Sequence, residues 1–138
     1  MPSDKPVLID TSIWISYFQR QDPSLEKTVD ELLENGRVAT AAIIVAEMVQ
    51  GARSEAEAKK IREYFAPLFW IESSDRHWEI AGELSFRLRR KGRSVNLTDC
   101  YIAALTKGDQ VKVLSLDKHF QWIAAEKGCD LESSNKKR

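Results

Sequence analysis

Val7-Leu8-Ile9-Asp10-Thr11-Ser12 is the stretch that decides the fold. Three consecutive apolar residues, two of them β-branched, suit a strand buried on both faces of a parallel sheet. Asp10 closes the run, and two hydroxyl residues precede an apolar segment over 13–20 that predicts a helix packed on the sheet. In open α/β sheets, ligand chemistry gathers at the carboxyl ends of strands. Asp10 therefore either caps the next helical turn or points into a crevice there.

Outward from this strand, helix and strand signals alternate. Asp22-Pro23 predicts an N-cap with proline at the first helical position, and Leu25, Val29, Leu32 and Leu33 form one helix face that Gly36 ends. Residues 38–41 suit a second strand, 43–51 a helix, 54–65 a charged amphipathic helix and 69–71 a third strand. The longest helix is predicted over 75–91, with Trp78, Ala81, Leu84 and Leu88 on one face and Gly92 as its stop. Thr98 is placed to cap a helix over 99–107. A strand over 111–115 follows, then Asp117, a last helix closed by Gly128, and a weak fifth strand over 129–131. The pattern predicts an α/β domain over 1–131 with a parallel central sheet of four to five strands flanked by helices, and a polar, disordered tail over 132–138.

Composition narrows the classes. At 138 residues the chain is one domain with room for a real core. A formal net charge of +0 provides no global field for a polyanion, so any such contact must come from local clusters. The two cysteines, Cys100 and Cys129, match neither a disulfide framework nor a metal-ligand spacing, and are expected to be reduced. No apolar run approaches the roughly 18 residues of a membrane span, and the N-terminus lacks a signal-peptide core. A cytoplasmic location is expected.

Four acids occupy special places. Asp10 and Asp117 follow strands, Asp99 opens a helix, and Glu47 sits within Ile-Ile-Val-Ala-Glu-Met-Val, where a carboxylate must face solvent, meet a cation or join a site. In a doubly wound sheet the four can converge at the carboxyl edge. Two carboxylates about 4 Å apart repel by about 4 kcal/mol at an effective dielectric near ~20. Such a cluster persists if some members protonate or a divalent ion binds. Oxygen donors favour Mg²⁺ or Mn²⁺ over zinc, which suits metal-assisted phosphodiester hydrolysis.

Four runs carry a resemblance: Leu8-Ile9-Asp10-Thr11-Ser12-Ile13-Trp14, Ala46-Glu47-Met48-Val49-Gln50-Gly51, Leu97-Thr98-Asp99-Cys100-Tyr101-Ile102-Ala103-Ala104 and Leu116-Asp117-Lys118-His119-Phe120. In this order they resemble the motifs of PIN-domain nucleases, and of the VapC toxins of prokaryotic toxin–antitoxin pairs in particular. The resemblance implies a Mg²⁺- or Mn²⁺-dependent endoribonuclease with Asp10, Glu47, Asp99 and Asp117 as catalytic and metal-holding acids, Asp10 and Asp99 most directly. Thr11 and Ser12 match positions that orient the first aspartate. An RNA substrate, a cognate VapB-type antitoxin and a homodimer are implied with them. Cys100-Tyr101 departs from the pattern, since smaller residues are frequent there.

Other residues divide between roles. Arg90, Lys91 and Arg93 form either a cationic rail for RNA phosphates or a solvated helix end favoured by the macrodipole. His119 is assigned to packing or hydrogen bonding, His77 to a helix surface, and all four tryptophans to core-like positions. Two other functions compete: a catalytically inactive PIN-like binding module, and a phosphoryl-transfer enzyme with an aspartyl nucleophile. The second would want an acid where Ser12 stands.

Overall fold

Val7–Ile9 forms β1, completely buried, at the centre of the sheet in a computed structural model that describes residues 5–133. Numbered in chain order, the other strands are β2 (Val38–Ala41), β3 (Phe69–Ile71), β4 (Lys112–Leu114) and β5 (Asp130–Leu131). All pairings are parallel, and the order is β3-β2-β1-β4-β5. The chain builds β1, β2 and β3 outward in one direction, then returns to place β4 on the other flank of β1. The topological switch point thus lies between β1 and β4, where the crevice of a doubly wound sheet opens.

Seven helices accompany the strands among the described residues: α1 (Thr11–Phe18), α2 (Pro23–Glu34), α3 (Ala42–Gln50), α4 (Glu55–Phe65), α5 (Asp75–Arg90), α6 (Leu97–Gly108) and α7 (His119–Ala125). The Asp22 side chain accepts the N–H groups of Ser24 and Leu25, so the predicted cap and Pro23 start α2 as expected. Gly92 follows α5 at φ +81°, a backbone state that disfavours any Cβ. Gly128 follows α7 for another reason: a Cβ there would lie 2.8 Å from Ile123 Cγ2 and 3.2 Å from the Ile123 carbonyl. α6 is the most enclosed helix, with every residue from Cys100 to Thr106 buried. Cys100 and Tyr101, the departure from the family pattern, are therefore packing residues, and Tyr101 stacks on Trp78 at 3.8 Å between centroids.

Three expectations are corrected and one is extended. α6 begins at Leu97 rather than 99, and its cap is Asn96, whose side chain accepts the Asp99 N–H at 2.8 Å, not Thr98. Of the tryptophans, only Trp14 is fully buried; Trp70 and Trp78 are 38% and 43% exposed, because β3 is an edge strand and Trp78 lies in the first turn of α5. His77 lies on a helix surface but also closes the start of α5, its Nδ1 accepting the Ser74 N–H at 3.0 Å. Glu132 is not yet tail: its N–H donates to the Val113 carbonyl at 2.9 Å, and its carboxylate lies 3.8 Å from Arg37 and 3.7 Å from Lys112. Residues 134–138 lie outside the described residues. Among the described residues no helix is long and apolar enough to cross a membrane.

Candidate functional site

The end of β1 is tied to the end of β4 by the Asp10 N–H, which donates to the Leu114 carbonyl at 3.0 Å. The Asp10 carbonyl accepts from Ile13 and Trp14 at the start of α1, yet its side chain makes no cap hydrogen bond. Instead Oδ2 accepts from Ser12 Oγ at 2.9 Å and Ser115 Oγ at 2.8 Å. Each hydroxyl in turn accepts a backbone N–H, Leu116 on Ser12 at 3.1 Å and Asp117 on Ser115 at 3.0 Å. With those lone pairs engaged, both hydroxyl protons point to the carboxylate. Asp10 thus faces the crevice and does not cap, and the loop after β4 is pinned to it.

Thr11 does not share this task. Its Oγ1 donates to Glu47 Oε1 at 3.3 Å, because adjacent helical residues point about 100° apart and cannot address one acceptor together. Glu47 is half-buried on α3, at one end of a groove that passes Ile15 and Phe18, with its carboxylate held by the Thr11 hydroxyl. Burial pushes its carboxyl above the usual carboxylate range, and the charges of Asp10 and Asp99 push it further, against the Thr11 hydrogen bond. Asp99, in the first turn of α6, has a side chain 13% exposed. Burial again dominates in raising it; the His119 hydrogen bond opposes, and Asp117 and Asp10 add to the rise.

Asp117 lies in the loop after β4, 39% exposed, and its Oδ1 accepts the His119 N–H at 2.9 Å. His119, first residue of α7, turns Nδ1 to 3.2 Å from Asp99 Oδ2 and 3.5 Å from Asp117 Oδ1. Neither His119 nor Ser115 was assigned to the site from sequence. The available signal was position: Ser115 directly follows β4 and His119 starts the next helix, so both flank Asp117 at the carboxyl edge.

The four acids therefore lie near one another at the carboxyl edge of the sheet, Asp10 and Asp99 bearing on Glu47, and Asp117 and Asp10 on Asp99. Asp99, Asp117 and His119 each offer a donor atom within 4.8 Å of the others. Clustered carboxylates with an imidazole beside them form a donor set that fits a divalent ion such as Mg²⁺ or Mn²⁺. The three cations considered as a rail are dispersed. Lys91 is held by both oxygens of Glu126, at 3.0 and 2.8 Å, and Arg90 lies over the Phe86 ring at 5.6 Å. Arg93 lies over Trp122 at 4.9 Å, with Lys118 also on that ring at 5.4 Å and the His119 ring 5.3 Å away. On the Glu47 side, a groove of about 750 Å³ runs from Thr11 and Glu47 past Ile15 and Phe18 to Arg53 and Tyr64.

Fold and site together define a doubly wound α/β domain with an acidic crevice at its switch point. The sequence pattern of the PIN domain matches residues 7–126, and the chain belongs to the PIN domain family. Ribonuclease VapC21 of Mycobacterium tuberculosis is 30% identical over 106 residues, spanning 75% of this chain and 77% of that protein. Ribonuclease VapC11 of the same organism is 29% identical over 122 residues, 86% of this chain and 91% of that one. Among solved structures, VapBC-1 from nontypeable Haemophilus influenzae superposes with a TM-score of 0.75 at 20% identity, covering 94% of this chain and 98% of that one. VapBC2 from Rickettsia felis, bound to a DNA fragment from its promoter, gives 0.72 at 21% identity, covering 91% and 96%. At such identities the structural likeness concerns the fold.

Proposed function

We propose that the chain is an endoribonuclease that depends on Mg²⁺ or Mn²⁺ and serves as the toxin of a type II toxin–antitoxin pair, restrained in the cytoplasm by a VapB-type antitoxin. The reading is supported by the nearness of Asp10, Glu47, Asp99 and Asp117, brought from four separate stretches of the chain towards the carboxyl edge of the sheet. The names of the relatives, ribonuclease VapC, support the reaction, and the VapBC structures support the partner.

Asp10, Asp99 and Asp117 would hold the ion, with Glu47 beside them. When bound, it would polarise a phosphodiester and make a coordinated water more acidic. The chain's own groups do the rest. Ser12 and Ser115 fix the Asp10 carboxylate without neutralising it. Glu47, raised by burial and by its neighbours, is suited to take up a proton as attack on phosphorus begins. The Thr11 hydroxyl keeps Glu47 turned inward. Purified chain should cleave RNA, lose all cleavage on chelation, and regain it with added Mg²⁺ or Mn²⁺. Cleavage indifferent to chelator would overturn the metal dependence, and intact RNA under every condition would favour the inactive binding module.

RNA contact is assigned to Arg93 and Lys118, both over the Trp122 ring that His119 adjoins, and to Arg90 over Phe86. Lys91 contributes little, since Glu126 already neutralises it. Arg93→Ala and Lys118→Ala should each flatten the logarithmic salt dependence of RNA binding by about 1. Lys91→Ala should leave the slope as it is; an equal change for all three would mean a diffuse field rather than contacts.

The proposal includes a homodimer. Trp70 and Trp78, both exposed and adjoining Tyr101, give an apolar face suited to a second copy. Trp78→Glu should yield a monomer in sedimentation, and an unchanged dimer would move the interface elsewhere.

A further inference from the structure

We infer that His119 is a ligand of the divalent ion, binding through Nδ1 beside Asp99 and Asp117, and that this nitrogen biases the site towards Mn²⁺ over Mg²⁺. The inference deepens the metal-dependent function proposed above and rests on it.

The geometry carries it. His119 Nδ1 lies 3.2 Å from Asp99 Oδ2 and 3.5 Å from Asp117 Oδ1, and each residue offers an atom within 4.8 Å of the other two. Two donors bound at about 2.1 Å and at right angles are about 3 Å apart, so the two distances from Nδ1 are close to those of neighbours around one ion. A hydrogen bond to Asp99 accounts for the first distance, and the second brings Asp117 to the same nitrogen. Asp117 Oδ1 already accepts the His119 backbone N–H at 2.9 Å, which turns the carboxylate towards the ring. Nδ1 therefore looks onto two acceptors from two different elements, and a proton or a cation has to lie among the three. The ring has little freedom to leave, being packed against Trp122 at 5.3 Å between centroids, with its side chain only 27% exposed.

The chemistry of the donor then sets the preference. Mg²⁺ is hard, demands oxygen and sheds water reluctantly, whereas imidazole suits first-row transition ions. A site of carboxylates alone would distinguish the two ions weakly; one nitrogen widens the gap.

The test titrates Mg²⁺ and Mn²⁺ calorimetrically into the full chain, as wild type, His119→Ala and His119→Asn. Wild type should bind Mn²⁺ at least tenfold more tightly than Mg²⁺. His119→Ala should lose at least tenfold in Mn²⁺ affinity and less than threefold in Mg²⁺ affinity. His119→Asn, which returns an oxygen close to the place of Nδ1, should restore Mg²⁺ binding without the Mn²⁺ preference. Pulsed electron paramagnetic resonance on the Mn²⁺-loaded chain should detect coupling to a ¹⁴N nucleus in wild type and none in His119→Asn. Tight Mn²⁺ binding without nitrogen coupling, or equal losses for both ions, would overturn the ligand role while leaving the four-acid metal site intact. Failure of wild type to bind either ion would overturn both.

Discussion

Asp10→Asn and Asp99→Asn should each leave a folded protein that cleaves RNA at least about 10³-fold more slowly, a loss of roughly 4 kcal/mol of transition-state stabilisation. Both substitutions remove a charge from the crevice without removing volume. At Asp10 the amide oxygen can still accept from Ser12 and Ser115, so the ties between β1 and the loop after β4 survive. Without metal, stability should rise or stay level, because neighbouring carboxylates destabilise one another. The pH dependence follows in sign. Burial first, and neighbouring acids after it, raise Asp99 and Glu47 above their unfolded values. A group raised in this way binds its proton more tightly when folded, so the metal-free chain gains stability as pH falls through the raised values. It gains nothing further below the unfolded carboxylate range, about 4. Asp99→Asn should remove the Asp99 share of that gain. Melting curves across pH on metal-free protein, beside cleavage rates with metal, test both halves; a sharp loss of melting temperature in either variant would make the acid a structural element instead.

How much of this was legible in the chain depends on the range of the interaction. β1 was plain from Val7-Leu8-Ile9, since a short, β-branched, unbroken apolar run is what a strand buried on both faces shows. The alternation of elements and the four acids at element boundaries were equally local, and a doubly wound sheet brings such boundaries together without further information. Ser115 was invisible as a partner of Asp10 because the two are 105 positions apart and meet only through the β1–β4 register. Lys91 looked free for the same reason; Glu126, 35 positions later, claims it only once α7 packs beside α5. Thr11 and Ser12 are interchangeable in composition but not on a helix, where the turn between them sends one hydroxyl to Glu47 and the other to Asp10. Trp78 obeys the helical period of Ala81, Leu84 and Leu88, yet sits in the first turn of α5, where it is 43% exposed and leans on Tyr101. Periodicity gives the direction a side chain faces, not whether anything lies there to cover it.

The antitoxin should compete with Mg²⁺, and Ile15→Glu should weaken its complex with the toxin by about 30-fold or more while cleavage by the free toxin stays unchanged. The groove that begins at Thr11 and Glu47 continues over Ile15, Phe18 and Tyr64, which are 47%, 44% and 38% exposed. Trp14 lies beneath this surface, fully buried and stacked against Phe18 at 5.5 Å. An apolar trough that opens onto carboxylates fits an amphipathic helix followed by an arginine. The helix would cover Ile15 and Phe18, and the guanidinium would pair with the acids in a bidentate fork, standing where a bound metal would stand. Covering one such side chain contributes about 2 kcal/mol, and replacing it by a carboxylate adds the cost of desolvating a charge. That gives the 30-fold figure. Ile15 points away from the core on α1, so its replacement touches neither Asp10 nor the packing around Trp14. Asp10→Asn should weaken the arginine contact by about tenfold, a loss of roughly 1.4 kcal/mol for one charge-assisted pair. Titrating Mg²⁺ into the purified pair, with activity and complex stability followed together, separates the cases. Inhibition indifferent to metal, to Asp10→Asn and to Ile15→Glu would place the antitoxin on another face of the domain.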